Sequence, residues 1–212
     1  MKWRRIIVLV GMSLAIVVAG TSETQPIGEK VGIEQGVREA RQISAELAEK
    51  VRGLLFQELE KGGVTHAVRV CSELAQQMTQ QFTGRTGHNI RRVSLRYRNP
   101  KNAPDDYERR KLEQLDLINL EKKLENDYFE VVKDQGRETL RYMKPLIVVP
   151  VCLTCHGPKE NIPSEVRTIL LEKYPDDRAT GFLVGDVRGA ISVKITLTSL
   201  ATPPSPKPHE DH

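Results

Sequence analysis

The sequence predicts an α+β fold, and three features of the residue pattern predict it. Apolar residues recur every three to four positions through the first half, as on one face of a helix. Short alternating runs rich in Val, Ile, Tyr and Arg occur from residue 90 onward, as in half-buried strands. Glycines bracket the segment between the last two runs, a hairpin signal. At 212 residues the chain has room for one such domain plus tails.

The first element, 1–21, reads as an export signal. Lys2, Arg4 and Arg5 form a basic head, an apolar run covers 6–19, and polar sequence begins at Thr21. The run is short for a membrane span, which needs roughly 20 apolar residues; an uncleaved anchor helix is the alternative. Either way the remainder is expected in a periplasm, or an equivalent exported compartment such as a thylakoid lumen. Residues 22–32, polar and carrying Pro26, Gly28 and Gly32, read as a linker. The folded domain is expected over 33–197.

A helix is predicted over 33–61, where Ile43, Leu47, Val51, Leu55 and Leu59 recur every four residues and Gly62-Gly63 ends the pattern. A second, over 65–82 and capped by Thr65, places Ala67, Cys71, Leu74, Ala75, Met78 and Phe82 on one face. Gly84 and Gly87 break the chain before a strand over 90–97 carrying Arg91, Arg92 and Arg96, with Arg98 following. Two prolines keep 99–104 out of helix and sheet. A charged third helix is predicted over 105–126, then strands over 128–133 and 138–143 about Gly136. A helix over 164–173 and strands over 181–184 and 190–197, joined at 185–189, complete the domain. Residues 198–212, polar and rich in proline, read as a disordered tail.

Lysine and arginine number 32 against 28 acidic residues, a formal net charge of +4. Without Lys2, Arg4 and Arg5 the basic count is 29, which leaves the exported chain near +1. So even a balance gives no basic stripe for nucleic acid. Membrane contact is expected only through the leader, if it is retained. The chain has three cysteines, an odd number that cannot all pair internally as disulfides.

Two of them fall in Cys152-Leu153-Thr154-Cys155-His156, a C-x-x-C-H motif that matches the attachment sequence of a c-type haem. Thiols three positions apart can both reach the vinyl groups of one porphyrin and form thioethers. The adjacent imidazole is then held beside the iron as an axial ligand. One covalent haem c per chain is therefore the expected cofactor. A structural zinc site would want a second Cys/His pair at suitable spacing, which the sequence lacks. A thioredoxin-like redox pair would want a βαβ context, and would leave His156 unexplained.

The second axial position has several candidates: Cys71, Met78, Met143, His66 and His88, or no side chain at all. Cys71 is left over once the thioethers form and sits mid-face on its helix, although a buried cysteine commonly acts as a small hydrophobe. Met143 lies nine residues before Cys152, so His/Met ligation is the alternative. His209 and His212 fall in the tail. Arg92, Arg96 and Arg98 are candidate contacts for the haem propionates, since a guanidinium grips a carboxylate with paired hydrogen bonds. Alternation places Arg91 on the opposite face from these three. The other reading of the run is a charged strand edge that resists aggregation.

Several blocks, taken in order, resemble the PAS-like single-haem c-type cytochrome domain family, whose members stand alone or ahead of sensor kinases. They are Val70-Cys71; Ile90-Arg91-Arg92-Val93-Ser94; and Arg98-Asn99-Pro100-Lys101-Asn102-Ala103-Pro104 with Glu108. Pro145-Leu146, the C-x-x-C-H motif with Gly157, and Gly185-Asp186-Val187-Arg188-Gly189-Ala190-Ile191-Ser192-Val193 follow. The resemblance implies a central antiparallel sheet with flanking helices, and a His/Cys axial pair that would fall on His156 and Cys71. A thiolate carries negative charge and favours Fe(III), so a low reduction potential follows. The expected function is low-potential electron transfer or a redox-responsive module, with an unidentified redox protein as partner. A haem-based redox or gas sensor acting through a separate partner is the alternative. Enzymatic turnover is not expected, because no acid/base constellation accompanies the motif.

Overall fold

A computed structural model describes residues 27–197. The expected export signal and C-terminal tail lie outside them. Helix α1 (Ile27–Thr86) is a hairpin of two arms, 27–61 and 64–86. It bends at Gly62-Gly63, where Gly63 takes φ +69, a left-handed value that a Cβ resists. The arms fold back on each other: Arg85 of the second pairs with Glu46 of the first at 2.8 Å and stacks on Phe82.

The helix starts at Ile27, inside the expected linker. Glycine in a helix costs about 1 kcal/mol, which reads as a break in sequence. Farther along, inside the expected helix, Gly36 is a packing device. An added Cβ would lie 3.0 Å from Leu140 Cδ2, so its absence lets this turn press onto the sheet.

Four strands form one antiparallel sheet: β1 (Asn89–Val93), β2 (Tyr128–Asp134), β3 (Arg137–Ile147) and β4 (Val187–Thr196), in the order β1-β4-β3-β2. The last strand in sequence is thus interior, between β1 and β3. α1 covers one face, where Val37, Ala40, Ile43, Leu47 and Phe82 meet Leu140, Tyr142, Ile191 and Val193. α2 (Asp106–Leu120) covers the other, with Leu112 and Leu115 on Val93, Met143 and Ala190. Each of these large side chains, fully buried, contributes about 2 kcal/mol.

Several strand and helix boundaries differ from the sequence expectation: β3 runs on to Ile147 rather than 143, and β4 starts at Val187 rather than 190. β1 ends at Val93, not 97, because the Ser94 N–H turns away to the Asn102 carbonyl at 3.2 Å. α2 stops at Leu120, not 126, and the chain reverses through Lys122 at φ +58. Segment 181–184 is not a strand and makes no hairpin with β4. Its N–H groups go elsewhere: Gly181 to the Gly157 carbonyl at 2.7 Å, Phe182 to the His156 carbonyl at 2.9 Å. Gly189 lies inside β4 and serves close approach rather than a hairpin turn, while Gly185 takes a left-handed φ of +93 before the strand. At Gly189, φ +154, a Cβ would meet the Val93 carbonyl oxygen at 2.2 Å.

α2 begins with a capping box: Asp105 accepts from the Glu108 N–H at 2.7 Å, and Glu108 accepts from the Asp105 N–H at 2.8 Å. Arg91, on the α2 side of β1, closes this corner by donating to Glu108 at 2.6 Å and to the Ala103 carbonyl at 2.6 Å. The Asn-Pro-Lys-Asn-Ala-Pro segment is therefore a structural knot. Beyond β3 lie α3 (Leu153–His156) and α4 (Ser164–Lys173), the latter packed on the second arm of α1 through Val68. No helix among the described residues is long and apolar enough to cross a membrane.

Candidate functional site

The C-x-x-C-H motif occupies one continuous helical turn. A short 3-10 segment (Pro150–Cys152), started by Pro150, runs directly into α3. Cys152 packs beside Val148, Ala179 and Phe182, whereas Cys155 packs beside Val68 of α1 and Tyr174 after α4. The motif thus wedges between α1 and the 177–182 loop. All three cysteines are free thiols.

His156 is held in one state. Its Nδ1 lies 2.7 Å from the Ala179 carbonyl oxygen. A carbonyl only accepts, so Nδ1 carries the proton and Nε2 keeps its lone pair. Burial, followed by the charges of Arg188 and Arg98, pushes the imidazole well below its usual pKa; the Ala179 bond works the other way. A neutral ring with Nε2 unprotonated is the form that binds a metal.

The structure brings Cys71 to the same place. Burial raises its thiol pKa, then the neighbouring Cys155 and Glu58 raise it further, while Arg92 opposes. Cys155 is raised as well, by burial first, with Arg98 opposing. Cys71 lies on the buried face of α1 with Ala67, Val68 and Ala75; Leu74, expected on that face, is exposed instead.

The arginines separate into two kinds. Arg98 is committed within the protein: Nε pairs with Asp177 at 3.0 Å, and Nη2 donates to the Cys155 carbonyl at 2.5 Å. Arg92 reaches into the site from the α1 side of β1, opposite to Arg91, and has one bond, from Nε to Thr79 Oγ1 at 3.1 Å. Burial lowers its pKa, with only Tyr174 and Cys71 working against that. Arg188, which the sequence reading did not single out, is the second such group. It donates to Ser94 Oγ and the Arg96 carbonyl, and burial, then Arg98, Arg92 and Arg96, bring it down to about 9 against the pull of Asp177. Among the described residues neither Arg92 nor Arg188 has a carboxylate within ion-pair distance. The available signal was its position in the Gly-Asp-Val-Arg-Gly block, a charge between residues that turn out buried.

Arg96 stands farther out. It stacks on Phe182, 3.4 Å from the ring centroid, and with Arg188 and Asp116 lines a cleft of about 210 Å³. Met143 does not join the site. Its side chain is 1% exposed in the α2-facing core beside Leu112 and Leu115, because alternation along β3 turns it to that face. Met78 packs against the α1 core. His66 and His88 are taken by carboxylates, Glu58 at 2.7 Å and Glu39 at 2.9 Å.

Among the described residues no three His, Cys, Asp or Glu side chains converge on a bare metal ion. A porphyrin-held iron asks for something different: two thiols on one turn, a neutral imidazole with a free nitrogen, and cations for two carboxylates. Cys152, Cys155 and His156 meet the first two requirements, and the unpaired guanidinium groups of Arg92 and Arg188 meet the third. The residues present fit the group.

A four-stranded antiparallel sheet with helices on both faces and a C-x-x-C-H turn beside it defines an α+β domain. The chain belongs to the Tll0287-like family, whose model matches residues 29–196, and the family resemblance read from the motif blocks holds. The crystal structure of the cyanobacterial haem-protein Tll0287 matches with a TM-score of 0.57 and 29% identity, over 84% of this chain and 100% of that one. No curated protein matches the chain.

Proposed function

We propose that this is an exported haem-binding domain with one covalent haem c, serving low-potential electron transfer or a redox response and no substrate turnover. Cys152 and Cys155 would hold the haem as thioethers, His156 would bind its iron through Nε2, and Cys71 would supply a sulfur ligand. Arg92 and Arg188 receive the propionates. A haem held in this way supplies a one-electron Fe(III)/Fe(II) couple. The partner is a separate redox protein.

One observation carries this reading. His156, directly after the two thiols, has its proton fixed on Nδ1 by the Ala179 carbonyl at 2.7 Å, which leaves Nε2 as a ligand nitrogen. The likeness to the cyanobacterial haem-protein adds weight to it. The thiol of Cys71 is neutral without a metal, since burial raises its pKa. A cationic iron would favour the thiolate. An anionic sulfur then stabilises the oxidised iron and lowers the potential.

The test is expression with haem-maturation machinery. The expected product resists acid–acetone extraction and gains the mass of one haem. A colourless product of unmodified mass rejects the reading. For Cys71, the Cys71→Ala variant is expected to alter the oxidised spectrum; an unchanged spectrum rejects that ligand.

A further inference from the structure

Arg98 and Asp177 are both 12% exposed and pair at 3.0 Å, yet the proposed haem site gives them no task. Each also reaches the loop that holds the histidine. Arg98 Nη2 donates to the Cys155 carbonyl at 2.5 Å and, at longer range, to the Ala179 carbonyl at 3.4 Å. Asp177 Oδ1 accepts from the Ala179 N–H at 2.8 Å. The Ala179 carbonyl is in turn the acceptor for His156 Nδ1. The ion pair therefore grips Ala179 at both its N–H and its C=O, and grips the residue just before His156 with the same guanidinium.

We propose that Arg98 and Asp177 are positioning residues that clamp the Ala179 carbonyl against His156, fixing the tautomer and plane of the imidazole. This assignment rests on the haem reading and replaces the propionate role expected for Arg98. An acceptor whose orientation is locked by two further bonds cannot rotate with the ring, so His156 presents Nε2 in one direction only. Arginine suits the task because its planar fork serves a carboxylate and two carbonyls together; a lysine ammonium has no such fixed geometry. The partners are 79 residues apart in the chain, beyond any spacing rule.

The test compares Arg98→Lys, Arg98→Gln and Asp177→Asn in the haem-loaded protein. Arg91→Gln is the control, since it breaks a buried ion pair outside the site. Haem mass, the electron paramagnetic resonance of the oxidised protein and the reduction potential are measured. All three site variants are expected to keep the covalent haem but to show an altered axial-ligand signal and a shifted potential. Arg98→Lys, which keeps the charge, is expected not to restore the wild-type signal. Arg91→Gln is expected to lower stability while its folded fraction keeps both readings. Wild-type signals in Arg98→Lys and Asp177→Asn overturn the proposal, and so does an equal change in the control. Should Arg98→Gln fail to fold, the other two variants decide.

A wild-type chain without covalent haem would reject the functional reading instead. Amide exchange at Gly181 and Phe182 then tests the clamp, because their N–H groups bond the Gly157 and His156 carbonyls. Faster exchange in Arg98→Lys than in wild type supports it; equal rates overturn it.

Discussion

Two corners of this molecule handle arginine in opposite ways. At the α2 corner, Arg91 and Arg141 stand beside Glu108 and Asp105, with bonds of 2.6 and 2.9 Å to their nearest carboxylates. At the cysteine-bearing pole, Arg92 and Arg188 have hydroxyl and carbonyl partners but no carboxylate. Burial of an unpaired charge is costly, and proteins retain it where something else supplies the counter-charge. The first corner pairs each arginine with a carboxylate, although Arg141 Nε is left buried without a partner. The second leaves two cations without a counter-charge, which the propionates of the proposed haem would supply.

The largest effect that would break this contrast is at the motif. Cys152→Ala or Cys155→Ala is expected to abolish stable double attachment, read as loss of haem retained through acid–acetone extraction. Next, Glu108→Gln leaves Arg91 and Arg141 without their buried partner. It is expected to cost about 3 kcal/mol in a urea titration, whether or not haem is bound. Cys71→Ala would remove the proposed anionic ligand, so the potential is expected to rise; potentiometry checks the sign.

A smaller and more diagnostic change is Arg92→Met. Removing a buried cation with no carboxylate is expected to stabilise the haem-free chain by about 1 kcal/mol while weakening haem retention. Destabilisation of both forms would instead place Arg92 with the structural arginines. The smallest effect concerns acid. Although burial pushes the other way, the Glu108 N–H and Arg141 hold the Asp105 carboxyl below its ordinary pKa. Its contribution is therefore complete above about pH 4 and lost as the pH falls below that. Asp105→Asn keeps the helix cap and is expected to flatten acid unfolding by under 1 kcal/mol, because the side chain is half-exposed.

Much of this was legible in the residues themselves. The arms of α1 follow from apolar spacing and a Gly-Gly stop, and α4 falls where its pattern ends. The turn about Gly136, where Gln135 and Gly136 both take positive φ, joins the two strands expected beside it. Other features were misread because the local cue has two physical meanings. Gly28 and Gly32 look like a linker, but α1 begins at Ile27 and runs through both, and Gly32 faces open space. The 181–184 run looks like a strand, but its hydrogen bonds go to the histidine loop rather than to β4.

Sequence by itself determined the motif: two thiols three positions apart and an imidazole next to them are set by covalent order, and no folding can separate them. It also determined where the longer helices run, apart from their ends, since that periodicity is local. Tertiary structure alone decided what each charged or sulfur-bearing side chain faces. Met143 was turned into the α2 core, Arg98 was given to Asp177, and Arg188 was delivered to the site without a carboxylate. Hydrogen bonds and ion pairs act over about 3 Å, so a guanidinium's partner is fixed only when residues tens of positions apart in the chain are packed together.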